Sequence, residues 1–291
     1  MTKIGFVGQG WIGKHYADDF DNRLYDTVRY SLEEPYIHNK DKIKECDIVF
    51  VAVPTPTTEE GFSYEPVRDA LGVIKSGSTV VIKSTLAPGT TVALMKEFPK
   101  LFIIHSPEFL RETNAAEDAA KPDRNLLGIP KDNKEYRERA QQVLNVLPEA
   151  PYSSIMSAHD AEMVKYAGNC FLYSKVVFMN VLYDLVTKSG GNWDVFREAL
   201  INDPRIGESH SEPVHKSGHD TSEVGTKRGA GGHCFIKDFE AFRRWTEDSL
   251  ADQEDVHLYL KHMIRYNNQL LKQSDKDIDL LIGVYGETGQ P

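Results

Sequence analysis

Short apolar runs alternate with amphipathic stretches through the first half of the chain. Ile4 to Val7 is apolar and stops at Gly8, and VRYS (Val28 to Ser31) is a second short run. DIVFVAVP (Asp47 to Pro54) is almost wholly apolar and β-branched, as a strand covered on both faces must be. STVVIKST (78–85), LFIIHSP (101–107) and NLLGIP (125–130) repeat the pattern. Stretches with helical spacing, such as PVRDALGVIKSG, lie between several of them. This alternation predicts an α/β domain built on a doubly wound parallel sheet.

The pattern then changes. From Ser157 to Ser189 the spacing is helical and proline-free, and Gly190 and Gly191 end it. WDVFREALIND, closed by Pro204, is a further helix, as are 238–248 and 252–273. We therefore expect a sheet domain over 1–150 and an all-helical domain over 151–291, divided at the proline-flanked PEAPYSS. No internal repeat and no low-complexity tract interrupts either half.

Composition narrows the function classes. Lys and Arg total 34 against 44 Asp and Glu, a net charge of −10, with no long basic run, so nucleic acid is not an expected partner. Three cysteines make no disulfide framework, which fits a reducing cytoplasm. The N-terminus enters a strand pattern at once, without a signal peptide, and no apolar run is expected to span a membrane.

Chemistry begins at VGQGWIG. Gly8, Gly10 and Gly13 form G-x-G-x-x-G directly after the first strand. In a dinucleotide fold the first glycine makes the tight turn, the second admits the pyrophosphate, and the third lets helix and strand pack closely. The phosphates then rest on the helix N-terminus. The acid that should hold the ribose hydroxyls is missing: Ser31 stands near its place, with Glu33 and Glu34 beyond and Arg29 close by. NAD is the expected cofactor, with Arg29 as the feature that would favour a 2′-phosphate instead. Ligands bind at the carboxyl ends of such strands. Those ends carry VPTPT, KSTLAPGT and HSPEFLRET, which offer Pro54, Thr55, Ser84 and Thr85 to a cofactor. Ordinary turn chemistry explains any one of these loops equally well.

The stretch RGAGGHCFIKD holds the third cysteine. Cys46 and Cys170 lie in apolar settings, where a cysteine behaves as a small hydrophobe. Cys234 instead follows a glycine-dense loop that lets a substrate approach and offers backbone N–H groups to an oxyanion. Lys237 and Asp238 come within a helical turn, and a nearby cation favours the nucleophilic thiolate.

The strings GQGWIG, AVPTPT, KSTLAPGT, SPEFLRE, AEMVKYAGN, NDPRIG and GAGGHCFIKD, in this order over residues 4 to 238, resemble the UDP-glucose/GDP-mannose dehydrogenase family. The resemblance implies a Rossmann-type domain followed by a helical domain of the 6-phosphogluconate-dehydrogenase-like kind. It implies two NAD-dependent oxidations of the C6 alcohol of a nucleotide sugar, UDP-glucose foremost, through a thiohemiacetal and a thioester on Cys234. It also implies that Lys165 steadies the oxyanion, helped by Asn169, and that Asp238 positions or activates water. Glu108 falls on a second acid/base carboxylate and Thr85 on a hydroxyl that holds the water. Glu112 and Lys237 are expected at the cofactor. Phe109, Leu110, Arg111 and Gly231 are expected at the substrate. Arg205 matches an arginine that reaches the neighbouring subunit's site in family dimers, so a homodimer is expected.

Three departures bear on this expectation. The chain stops at IDLLIGVYGETGQP, about where the family's second nucleotide-gripping domain would begin with a strand; we expect a naturally short protein, since polar ETGQP shows no broken strand. The alternative function is a catalytically silent nucleotide-sugar-binding or regulatory protein. The loop from Gly207 to Gly229 is long and polar, and Lys216, Lys227 and Arg228 are candidates for binding the diphosphate. Ala230 and His233 replace the usual aromatic and small residues. His210, His215, His219, His233 and Cys234 invite a zinc reading, but their spacing matches no familiar pattern and no metal is expected.

Overall fold

A computed structural model describes residues 2–111, 114–216 and 227–291. In chain order the strands are β1 (Ile4–Val7), β2 (Thr27–Tyr30), β3 (Ile48–Val51), β4 (Thr57–Thr58), β5 (Gly61–Phe62), β6 (Thr79–Ile82), β7 (Phe102–His105), β8 (Arg124–Ile129) and β9 (Tyr152–Ser157). The helices are α1 (Trp11–Asn22), α2 (Lys40–Ile43), α3 (Glu65–Leu71), α4 (Thr90–Glu97), α5 (Ala115–Ala120), α6 (Lys134–Val146), α7 (Ala158–Lys188), α8 (Trp193–Ile201), α9 (Gly232–Ser249), α10 (Glu254–Gln273) and α11 (Ile278–Tyr285). They divide into two units: Met1–Pro56 with Ser63–Lys165, and Thr57–Phe62 with Tyr166–Pro291.

The N-terminal unit is a seven-stranded sheet in the order β2-β1-β3-β6-β7-β8-β9. β1, β3 and β6 are buried at every residue, which explains their unbroken apolar sequence. Phe6 and Phe50 stack on one face at 5.2 Å, and Phe20 of α1 closes on both. The expected parallel sheet is corrected at one point: β8 runs antiparallel to β7. Strand order reverses between β1 and β3, and their carboxyl ends diverge there, where ligands of such sheets bind.

The units divide at Lys165–Tyr166, inside α7, and not at PEAPYSS. Tyr152–Ser157 lies parallel to β8 as a seventh strand, and the chain passes from it directly into α7. Glu162 then ties the first turns of α7 to the sheet unit: its carboxylate accepts from Gly89 N, Thr91 N and Thr91 Oγ1 at 2.5 to 2.8 Å, at the start of α4.

The C-terminal unit is helical, with Tyr173 of α7 stacked at 4.0 Å on Phe239 of α9 and Ile264, Leu271 and Leu281 packed around them. It also takes in the β4–β5 hairpin. Arg244 of α9 donates from Nη1 to Thr58 O and Glu59 O and from Nε to Glu240. Two expectations change here. IDLLIGVY, placed where a strand would begin, is helix α11, with Leu281, Val284 and Tyr285 in the core. And α7, at 31 residues, does have the length and apolar composition to cross a membrane. Part of its apolar surface is taken up by the protein: Ala161, Tyr166, Cys170, Tyr173, Val176 and Val177 are buried, while Phe171, Phe178 and Leu185 are exposed.

Candidate active site

The β1–α1 turn is built as a dinucleotide turn should be. Gly8 has φ +91°, and a Cβ there would lie 2.2 Å from Ala52 O. A Cβ on Gly13 would lie 2.0 Å from Gly8 O, so helix and strand meet backbone to backbone. A Cβ on Gly10 would meet nothing within 4 Å. The first and third glycines are thus required by the protein itself. The second faces open space at the N-terminus of α1, where no side chain caps the helix and the first turn holds no acid. Open space and uncapped N–H groups suit a pyrophosphate. Arg29 faces away from a 2′-phosphate role: it pairs with Asp18 at 2.7 Å and with Asp21. Ser31 Oγ donates to Glu33 O at 2.8 Å.

The neighbouring strand ends are tied to one another. Ser84 Oγ accepts from Val53 N at 3.0 Å and donates to Val53 O at 2.7 Å. Thr55 Oγ1 donates to Thr85 O at 2.8 Å. Pro54, between them, is exposed. Ser84 and Thr55 therefore hold the loops in register, and what the pair presents outward is backbone and proline.

Glu108 and Lys165 form the charged centre of this unit. Lys165 Nζ donates to Glu108 Oε1 and Glu108 O, both at 2.8 Å, and Leu110 N donates to Oε2 at 2.8 Å. Both side chains are about 5% exposed. A buried pair with each carboxylate oxygen satisfied can carry charge in the interior. Lys165 Nζ also lies 5.7 Å from the ring of Phe109, which Arg124 covers at 3.7 Å. Leu110 packs against the sheet core. Arg111 turns to Asp118 at 2.6 Å and holds that carboxyl below its usual range. Glu112 lies outside the described residues.

In the C-terminal unit Cys234 is exposed and stands in the first turn of α9. The expected helix start at 238 is thereby corrected: α9 begins at Gly232, so the thiol is carried by a helix rather than by the glycine loop. A helix N-terminus favours an anion such as thiolate. One turn on, buried Asp238 accepts from Asn169 Nδ2 at 2.6 Å and from Lys237 Nζ at 2.5 Å. Lys237, expected at the cofactor, is committed to this carboxylate.

The backbone N–H groups expected to face an oxyanion are in part already used. Ala230 N donates to Asn267 Oδ1, and Asn267 Nδ2 returns a bond to Ala230 O, at 2.7 and 3.0 Å. Gly232 N donates to Asp277 Oδ2 at 2.7 Å, and a Cβ on Gly231 would lie 2.0 Å from that same oxygen. Lys276 Nζ donates to Gly229 O at 2.9 Å and meets His215 Nε2 at 3.1 Å. Asn267, Lys276 and Asp277 escaped the sequence reading, as did Glu162 and Lys83. For Glu162 and Lys83 a signal existed: Glu162 opens E-x-x-K, and Lys83 is a charge inside an apolar strand pattern.

The diphosphate candidates are redirected. Arg228 donates to Asn180 Oδ1 and Asp184 Oδ1, each at 2.9 Å, and Lys227 donates to Asp275 O. Lys216 is exposed. Of the histidines, His219 lies outside the described residues; burial and then Lys276 push His215 down to about 4. No group of three or more metal-ligating side chains occurs among the described residues. Arg205 is exposed and pairs with Asp203 at 2.6 Å. Its loop is held by Lys175 Nζ, which donates to Ile206 O and Gly207 O. Arg205 sits on the rim of an apolar groove of about 810 Å³, lined by Phe171, Phe178, Leu182, Leu258, Tyr259 and Met263.

Comparison with known proteins agrees with both halves. Residues 25–147 match the NAD-binding domain of the UDP-glucose/GDP-mannose dehydrogenase family, and residues 159–269 match its central domain. The UDP-glucose 6-dehydrogenase of Rickettsia felis is 30% identical over 273 residues, covering 89% of this chain and 56% of that protein. The solved UDP-glucose dehydrogenase of Pyrobaculum islandicum is 27% identical with a TM-score of 0.72, covering 94% of this chain and 71% of that one. The UDP-D-ManNAc dehydrogenase structure from Pyrococcus horikoshii shares the fold, with a TM-score of 0.75 at 18% identity over 97% of this chain and 72% of that one. The chain spans about half the length of the curated relatives it matches. With an NAD-binding module and a central module matched in order over most of its length, the chain belongs to the UDP-glucose/GDP-mannose dehydrogenase family.

Proposed function

We propose that the protein is an NAD-dependent nucleotide-sugar 6-dehydrogenase that converts a C6 alcohol to the carboxylate in two oxidations, with UDP-glucose as the substrate. The observation that carries this reading is Cys234, exposed at the start of α9, one turn before a buried Asp238 fixed by Asn169 and Lys237. An alcohol dehydrogenase that stops at the aldehyde has no use for that thiol. Gly8, Gly10, Gly13 and the loops at Pro54 and Ser84 would hold NAD, which supplies the hydride acceptor. Glu108 takes the proton of the C6 hydroxyl, directly or through a water held at Thr85, as the first oxidation makes the aldehyde. Cys234 Sγ then adds to the aldehyde carbon, and the ammonium of Lys165, with Asn169, steadies the oxygen that gains charge. The second oxidation leaves a thioester on Cys234. Asp238 directs water onto the thioester carbon; the carbon–sulfur bond breaks and the thiolate leaves.

The substrate assignment draws support from relatives that are themselves named UDP-glucose dehydrogenases. The apolar groove beside α7 and α10 supports a homodimer, since Phe171 and Phe178 are 70% and 60% exposed and a second copy would cover them. In this reading Arg205, on the rim, reaches the neighbouring copy's site. The test is the NADH formed per sugar consumed with a panel of UDP- and GDP-sugars. Two NADH per sugar with the native chain, and no acid from Cys234→Ala, is the expected result. NAD binding without NADH from any sugar would overturn it in favour of a silent nucleotide-sugar-binding protein.

A further inference from the structure

Lys83 has no part in the chemistry above, yet it is among the most costly residues in the N-terminal unit to bury. It follows β6 at the centre of the sheet and is 3% exposed. Its backbone N–H extends the ladder to Val51 O at 2.8 Å. Its Nζ donates to Ser106 Oγ at 3.0 Å and lies 4.3 Å from the centre of the Tyr16 ring on α1. Ser106 stands two residues before Glu108. An ammonium has three protons to place, and one hydroxyl with an aromatic face replaces its water poorly. Burial accordingly pulls Lys83 down to about 7, while the Glu108 charge pulls it back up. The other titratable groups around it are Tyr16, His105 and Lys165. Burial raises the Tyr16 phenol, and next to burial the strongest influence on it is Glu108, ahead of Asp19 and Asp118. Burial, then Lys83, pushes His105 to about 3, so it is neutral. Lys165 is already bonded to Glu108.

We propose that Lys83 is a positioning residue for Glu108: anchored on Ser106, it braces the segment that carries Glu108 and adds a second positive charge to its surroundings. The proposal rests on the reading of Glu108 as the acid/base carboxylate. A second cation beside a carboxylate favours its ionised form, and the influence is mutual.

The test is an NMR titration of the full chain carrying ¹³C-labelled lysine Cε and glutamate Cδ. Glu108→Gln is expected to lower the titration midpoint of Lys83 by about 1 unit while leaving Lys83 in place. A Lys83 midpoint unmoved by Glu108→Gln overturns the proposal. The titration needs no turnover: a chain inactive on every nucleotide sugar ends the dehydrogenase reading and leaves the titration result standing. In an active chain the acid limb of kcat against pH moves upward in Lys83→Met. A lysine that only props the fold lowers kcat equally at every pH.

Discussion

In the N-terminal unit the candidate site side chains stand just past the strands or on the helix tied beside them, whereas in the C-terminal unit they stand on a helix whose first turn is gripped from far away. Ser84, Thr85 and Glu108 follow β6 and β7 within six residues, and the parallel ladder sets where each loop starts. Cys234 owes its place to Asn267, 37 residues from Ala230, and to Asp277, 45 residues from Gly232. Each unit also buries a lysine: Lys83 against a hydroxyl and a ring, Lys276 against Gly229 O and His215. The lesson is that a sheet positions a site through backbone register, while a helical unit with a glycine loop needs side chains to hold the backbone.

The glycines test this contrast most severely. Gly13→Ala sets a methyl against the Gly8 carbonyl, and neither backbone can yield. We expect it to cost about 4 kcal/mol or prevent folding, read by urea unfolding. Gly10→Ala enters open space and should stay within about 0.5 kcal/mol of native while weakening NAD binding tenfold or more by titration. A Gly10→Ala chain that binds NAD normally would remove the pyrophosphate from this turn.

Gly231→Ala is expected to cost less, about 1–3 kcal/mol, because the methyl meets the end of the Asp277 side chain and displaces it from Gly232 N. Asp277→Ala breaks the same bond, so the double variant should cost less than the sum of the two. Additive losses would show that the two residues act separately.

The pH dependence of stability separates the units further. Lys83 titrates at about 7 when folded against an ordinary 10.5, so between these values the unfolded chain binds more protons. Its contribution to stability therefore rises as pH climbs from about 7 to 10.5 and is withdrawn as pH falls back. Urea unfolding across this window should show a shallower slope for Lys83→Met than for the native chain. Equal slopes would mean that Lys83 keeps its proton throughout.

The smallest effect on stability is expected at the thiol. Cys234 is exposed, so Cys234→Ser should change unfolding by less than about 0.5 kcal/mol while abolishing acid formation. Acid produced by the serine variant would take the thioester out of the mechanism.

Much of the sheet was legible because strands buried on both faces must be apolar, and four-residue runs such as IGFV and IVFV have no other use. The β8–β7 reversal was not legible, since an apolar strand reads alike in either direction. Nor was β9: YSSIMS lies at the sheet edge, largely exposed, where periodicity carries little signal. IDLLIGVY was compatible with strand or helix, and packing against α9 decided for helix α11.

The amino-acid sequence by itself determined the family and the dinucleotide turn, and it nominated the candidate reactive groups. These depend on residue types at fixed short spacings, and the chain carries such spacings directly. Only the tertiary structure decided what each charge is bonded to. Arg29, Arg111 and Arg228, all plausible anion binders in sequence, are taken by Asp18, Asp118 and Asp184. Lys83, a lone charge in an apolar strand pattern, is bonded to Ser106, two residues before Glu108. The reason is that an ion pair is chosen by distance in space, and residues 7, 11 or 44 positions apart become neighbours only once the backbone has been set.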